Sequence, residues 1–354
     1  MHILLKATNL YNGILIITHK ELSFLKKHLG KLRSRYNIIM HIGSIVRIER
    51  NPNISLYMMS DIRVTNKNID IPFCSRNFLS TDYLNDYELC DLNNLMKKKD
   101  INLTFKNKID FLYVGRCIEI KKTVDILNNF VNFNKKHENK YNIVFVILAQ
   151  AGTNNYYRSF LEKVKEYNSK SIILLDTHNI KSDNNIYFGF STAELSIIYR
   201  NSRVYIHGCE AEGESRSIQE ALLSGNICLL KENMIGGGLD YSNKLNSVYY
   251  RNNNSGICHE KAIMMSYNEE QVKSNIDRMK HIVSEKYTSK KFTDTVFDKL
   301  KYRGDKQAFN KICNTDNLAF SLPAHNVSVP WFTEGSLTAD IKTQSQLEML
   351  YRHL

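Results

Sequence analysis

The sequence predicts an α/β protein built on a parallel sheet with helices on both faces, and two observations carry that prediction. From Ile109 onward, apolar runs of strand length alternate with longer amphipathic stretches, the order that builds parallel sheets through crossover helices. At 354 residues, 43% of them hydrophobic, the chain exceeds the roughly 150 residues of one typical domain, so two domains with a large core are expected.

The elements follow in order. Ile109–Val114 reads as a strand ending at Gly115, and Ile120–Lys136 as a helix carrying Ile120, Val124, Ile126, Leu127, Phe130 and Val131 on one face. Strand Asn142–Leu148, helix Tyr156–Tyr167, and strands Ser171–Leu175 and Asn185–Phe188 come next. Helix Thr192–Tyr199 leads to strand Arg203–Ile206, and a further helix stops at Ser224, where Gly225-Asn226 provides a C-terminal cap. Strand Ile227–Leu230, a loop at Gly236-Gly237-Gly238 and strand Ser247–Tyr250 precede two closing helices over Asn268–Glu285 and Ser289–Lys301. In residues 1–108, Ile3–Leu5, Gly13–Ile17, Ile38–Met40 and Ile54–Met58 have strand character, and Glu21–Leu32 forms a basic amphipathic helix. The expected organisation is a short N-terminal domain over 1–108, a larger domain over 109–302, and an extension over 303–354. The extension holds Pro323, Pro330 and the single tryptophan, Trp331, which favours packing onto the body. Gln344–Leu354 reads as a terminal helix.

Composition excludes several classes. Fifteen glycines and four prolines are too few for a collagen-like or low-complexity chain. No apolar run approaches the roughly 18 residues of a membrane span, and the N-terminus lacks the basic and apolar regions of a signal peptide. The seven cysteines, 74, 90, 117, 209, 228, 258 and 313, are scattered without a C-x-x-C. They fit neither a disulfide framework nor a structural zinc site, and a cytoplasmic location with reduced thiols is expected. A net charge of +12 suits an anionic partner such as a nucleotide, a nucleic acid or an acidic membrane face. Enrichment in Lys and Asn from an AT-rich genome accounts for it equally well.

Two clusters stand out. Glu210-Ala-Glu212-Gly-Glu214-Ser-Arg216-Ser-Ile-Gln-Glu220 follows a buried-type strand and therefore sits at the carboxyl edge of the sheet, where open α/β sheets bind ligands. Glu212 falls in the loop and Glu220 inside the helix. The five steps from Ser215 to Glu220 span roughly 7–8 Å of helix axis, a separation suited to two hydroxyl-bearing parts of one extended ligand. A helix N-terminus with free N–H groups lies between, a seat for phosphate. Two other readings stand beside this one. Ser217 and Glu220 fit a capping box, with the remaining glutamates in a solvated acidic loop. Alternatively, Glu210, Glu212 and Glu214 alternate so as to face one metal ion, although the chain has no D-x-D and no H-E-x-x-H. The second cluster, Gly115-Arg116-Cys-Ile-Glu-Ile-Lys121-Lys122, opens a helix after the first strand of the same sheet. Lysines in a first helical turn oppose the macrodipole, which an anion there would relieve; plain solvation of abundant lysines is the alternative.

Phe111-Leu-Tyr-Val-Gly115-Arg116…Lys121 resembles the VGR…K signature of group 1 (family 4-type) glycosyltransferases. Glu212-Gly213…Glu220-Ala221-Leu222…Gly225 resembles their E-x7-E motif and its continuation, and the Gly236–Asp240 segment is similar to their later glycine-containing loop. The resemblance covers Ile109–Lys301. It implies a GT-B-like pair of Rossmann-like domains, the N-terminal one short. It also implies transfer of a sugar from a nucleotide-diphosphate donor to a saccharide or lipid-linked acceptor, as in polysaccharide biosynthesis, with retention of configuration and without a metal or other cofactor. On the same basis Arg116 and Lys121 neutralise the departing diphosphate, and Glu212 meets the donor sugar. Gly115, Gly213, Glu214, Ser215 and Arg216 line the donor, and Glu220 takes the ribose hydroxyls. Glu214-Ser215 stands where the family has an aromatic-glycine pair, and Gly208-Cys209 replaces its Pro-Ser turn. The N-terminal domain, where the acceptor and a site histidine belong, is short; His19 and His41 each follow an apolar run there. That shortness motivates a second reading, a donor-domain-like, non-catalytic or partner-dependent subunit. Basic residues Lys20, Lys26, Lys27, Lys31, Arg33 and Arg35 would hold the chain against an anionic membrane, or simply form a solvated face. A nucleic-acid acceptor rests on charge alone and is not expected.

Overall fold

The computed structural model describes residues 2–3, 13–18, 26–34, 36–42, 50–59, 70, 81–147, 155–177, 180, 189–237, 239–283 and 298–300. Contacts divide the chain into two units, Met1–Phe78 with Glu285–Leu354, and Leu79–Ser284. The first unit carries a four-stranded sheet in the order β1 (His2–Ile3), β2 (Gly13–Thr18), β3 (Tyr36–Ile42), β4 (Leu56–Met59), parallel except for β1. Of the basic helix expected near Glu21–Leu32, the described part is α1 (Leu29–Arg33). It buries Leu29 and Leu32, three apart on one face, and exposes Lys31 and Arg33.

The second unit contains α2 (Leu89–Lys98), β5 (Ile109–Gly115), α3 (Thr123–Lys135), β6 (Ile143–Ile147), α4 (Asn155–Tyr167), β7 (Ile172–Asp176), α5 (Thr192–Arg200), β8 (Ser202–His207), β9 (Ala211–Glu214) and α6 (Arg216–Leu223). Next come β10 (Ile227–Lys231), β11 (Ile235–Gly237), β12 (Ser247–Tyr250), α7 (Ser255–Ser266) and α8 (Glu269–Val283). Six strands form one parallel sheet in the order β12-β10-β8-β5-β6-β7. Both faces are buried, which is why these strands read as near-continuous apolar runs. Alternate residues serve opposite cores. Leu112, Val114, Val144 and Val146 pack with Leu92 and Met96 of α2, Ile198 of α5 and Ile218 of α6. Phe111, Tyr113, Phe145 and Ile147 pack with Leu127 and Phe130 of α3, Phe160 of α4 and Ile263 of α7.

Several boundaries differ from expectation for physical reasons. The helix expected from Ile120 starts at Thr123, because Glu119–Lys121 forms a short 3-10 turn and Lys122 takes a left-handed conformation (φ 54°). α2 and α7 arise where no element is expected: α2 is held by a reciprocal Glu88–Asp91 capping box, and α7 carries too little amphipathic contrast to be seen by periodicity. The stop after α6 is as expected, with Gly225 at φ +88°. The strand expected at 185–188, the side chains of His19 and His41, and everything after residue 300 lie outside the described residues, as does most of the helix expected over 289–301.

Candidate active site

The order of the six-stranded sheet reverses between β5 and β8. From the central β5 the chain runs outward through β6 and β7, then returns to β8 on the other side and continues to β10 and β12. The crevice outside the carboxyl ends at such a switch point is where open α/β sheets bind ligands. Both motif clusters arrive there, Gly115 and Arg116 at the end of β5, and Gly208 through Glu212 at the end of β8.

The geometry joins them. Lys121, on the turn after β5, forms an ion pair through Nζ with Oε1 of Glu212, with both side chains largely shielded from solvent. Glu212 lies on β9, not in a loop as the sequence suggests. β9 pairs in parallel with β11, Ala211 opposite Ile235 and Glu214 opposite Gly237, so the glycine-containing segment is also strand up to Gly237. The turn between β8 and β9 passes close to the Lys121 turn. A Cβ on Gly208 would lie 3.0 Å from the Lys121 carbonyl oxygen and 3.0 Å from Ile126 Cδ1, so only glycine fits without displacement.

His207, the last residue of β8, completes this cluster and is not picked out by the sequence reading. Its Nε2 lies 3.8 Å from Glu212 Oε1 and its Nδ1 3.3 Å from the Tyr205 hydroxyl. Burial, reinforced by the Lys121 charge, pushes the imidazole pKa well below its usual value, so the ring is neutral at neutral pH. Its sequence signal is a polar residue closing the apolar run Val204-Tyr-Ile, immediately before the motif. Cys209 is buried and donates its thiol hydrogen to the Ala211 carbonyl at 2.9 Å.

Arg116 is exposed on the same edge, and its carbonyl accepts a hydrogen bond from Tyr113 (2.9 Å). Ser215 is the N-cap of α6, and its hydroxyl meets that of Ser217 at 3.1 Å. Ser217 therefore lies inside the helix and caps nothing, which removes the capping-box reading of Ser217 and Glu220. Glu220 turns instead to Tyr83, Tyr199 and Arg216. Burial raises its carboxyl pKa, and the Arg216 charge and the two phenols partly offset that rise. Tyr83 and Tyr199 pack edge to face, with ring centroids 5.8 Å apart. Tyr83, in the 3-10 turn Thr81–Leu84, comes from a segment with no motif, so no sequence signal points to it. Of the predicted residues, Lys121 and Glu212 thus gather with His207, and Glu220 and Arg216 gather with Tyr83 and Tyr199. The Gly213 and Glu214 backbones run in β9.

A polar cavity of about 500 Å³ opens on this carboxyl edge, lined by Glu210, Lys231, Glu232, Asn233 and Arg251. Another, of about 480 Å³, opens at the amino edge, lined by Lys108, Arg200, Arg203, Glu269 and Lys273. It lies a strand length from the motif residues, about 17 Å for five residues. No helix among the described residues is long and apolar enough to cross a membrane.

No family model and no curated protein matches the sequence. Solved structures do match in fold. A glycosyltransferase from Rickettsia africae superposes with a TM-score of 0.57 at 12% identity, over 81% of this chain and 77% of that one. Sucrose-phosphate synthase from Thermosynechococcus elongatus gives 0.57 at 12%, over 80% and 73%. An Anabaena protein solved with UDP and glucose gives 0.51 at 12%, over 79% and 77%. The α/β fold of this chain is that of the GT-B glycosyltransferases.

Proposed function

We propose that the protein is a glycosyltransferase that moves a sugar from a nucleotide-diphosphate donor to a saccharide or lipid-linked acceptor, with retention of configuration and without a catalytic metal. The observation that carries this reading is the Lys121–Glu212 pair at the switch point of a GT-B-type sheet. Lys121 and Arg116 supply fixed positive charge where a diphosphate leaving group gathers negative charge, and such preorganised charge acts most strongly in the transition state. An arriving diphosphate competes with Glu212 for Lys121. The ammonium moves onto the phosphate, and the carboxylate is released to accept hydrogen bonds from donor-sugar hydroxyls. Gly115 and Gly213 allow the ligand to approach the backbone, and the N–H groups of Glu214, Ser215 and Arg216 face its phosphates. Glu220 takes the ribose hydroxyls, exchanging its phenolic neighbours for them.

The test is release of nucleoside diphosphate from a panel of nucleotide sugars, with thermal shift by the free diphosphates alongside. Turnover that fails in Lys121→Ala and Glu212→Gln supports the reading. Absence of both binding and turnover across the panel overturns it. Donor binding with turnover only after a second protein is added is the result expected of a partner-dependent subunit. Exposed Lys26, Lys27, Lys31 and Arg33 support peripheral contact with anionic membrane, read as salt-sensitive binding to phosphatidylserine vesicles.

A further inference from the structure

We propose that His207, Cys209 and Glu212 form a binding site for a thiophilic divalent cation, zinc above all, which Lys121 normally holds closed. One ligand atom from each residue lies within 4.8 Å of the other two. Ligand atoms around tetrahedral zinc stand about 3.3–3.6 Å apart, given bonds of about 2.0–2.3 Å. The 3.8 Å between His207 Nε2 and Glu212 Oε1 is already near that spacing, so small side-chain adjustments complete the set. An imidazole, a thiol and a carboxylate, with one position left open, suit zinc better than the oxygen-seeking magnesium or calcium.

The surroundings prepare the histidine as a ligand. His207 is 2% exposed, and its Nε2 has no hydrogen-bond partner among the described residues. Tyr205 Oη lies 3.5 Å from the Val114 carbonyl oxygen, to which it donates, and 3.3 Å from His207 Nδ1. In the tautomer whose Nδ1–H donates to Tyr205, the lone pair on Nε2 is directed at Glu212. A second partner of this kind is how metal-ligating histidines are usually oriented. Two lone-pair-bearing atoms facing each other call for a cation, and the Lys121 ammonium supplies one. An ammonium has no use for the adjacent thiol, whereas zinc does. On binding, the Cys209 thiol gives up its hydrogen to solvent, the bond to the Ala211 carbonyl breaks and a zinc–sulfur bond forms. Lys121 leaves Glu212 still protonated. Metal and the Lys121–Glu212 pair exclude one another, so the site is inhibitory for the transfer proposed above; only that consequence rests on the transferase reading.

The test uses cobalt(II), and then zinc, added alone to the reduced full-length protein. The expected result is a single site with a thiolate-to-cobalt charge-transfer band that zinc abolishes. The band is lost in Cys209→Ser and in His207→Gln, while Lys121→Met binds cobalt about tenfold more tightly because the competing ammonium is gone. X-ray absorption on the zinc-loaded wild type should show one sulfur and two or three nitrogen or oxygen neighbours. That measurement decides the matter if the ligand variants fail to fold. No band in the wild type, a band retained in Cys209→Ser, or unchanged affinity in Lys121→Met overturns the proposal. None of these readouts needs donor or acceptor, so a missing metal site leaves the transferase reading standing, and a missing transferase activity leaves the metal site standing.

Discussion

Lys121 and Glu212 are ninety-one positions apart in sequence, yet they close an ion pair across the carboxyl ends of two adjacent parallel strands. The pair ties the turn after β5 to the short strand β9 and puts opposite charges where the sheet order reverses.

Removing either partner should lower turnover far more than stability. Lys121→Ala is expected to reduce kcat/KM about a hundredfold or more, the scale of losing one preorganised contact to developing charge. Diphosphate release under saturating and limiting donor separates kcat from KM. Unaltered kinetics in Lys121→Ala would remove Lys121 from the reaction.

Glu220→Gln separates binding from folding. Burial raises the carboxyl pKa, so the folded state holds its proton more tightly than the unfolded chain does. Its contribution to stability therefore falls as pH rises from the ordinary carboxylate range to the folded pKa. An amide has no charge to bury, so Glu220→Gln should melt at or above the wild-type temperature near neutral pH. Nucleoside-diphosphate binding by calorimetry should weaken about tenfold, the loss of a hydrogen bond to a charged group. A lower melting temperature with unchanged affinity would make Glu220 a structural residue.

His259 predicts an acid limb of stability. Its ring is stacked on Phe133 (centroids 5.3 Å apart), its Nδ1 meets the Ser255 carbonyl at 2.6 Å, and burial lowers its pKa to about 4. Above pH 6.5 it is neutral in both states. Below that, the unfolded chain takes up a proton that the folded chain resists until about pH 4. Stability therefore falls by roughly 1.4 kcal/mol per pH unit across that window. Urea melts of His259→Phe between pH 4 and pH 7 should show a flatter dependence than the wild type.

Gly208→Ala should damage the site while leaving the sheet intact. The added methyl meets the Lys121 carbonyl and Ile126 at 3.0 Å, and overpacking of this kind costs roughly 1–3 kcal/mol. A modestly lower melting temperature with strongly reduced turnover is expected. Turnover equal to the wild type would show that the Lys121 turn absorbs the shift.

The six-stranded sheet was legible because its strands are buried on both faces and read as apolar runs, as in Ile143–Ile147, and because Gly225 marks the end of a helix. That Gly115 and the Glu212 segment fall at the carboxyl edge was legible because each directly follows or ends an apolar run of strand length. What was not legible depends on partners distant in sequence. β9 is a strand only because β11 pairs with it, and the Glu220 environment depends on Tyr83, a lone aromatic in a 3-10 turn. His207 gives no distinguishing signal, because a histidine at the end of an apolar run looks the same whether it is packing or function.

The parallel pairing of β9 with β11 makes Glu212 the passenger of a ribbon whose other rail is Ile235–Gly237. Whatever pulls on that glycine-rich rail shifts the carboxylate with it, so a touch at one rail registers as a change in how firmly Lys121 is gripped.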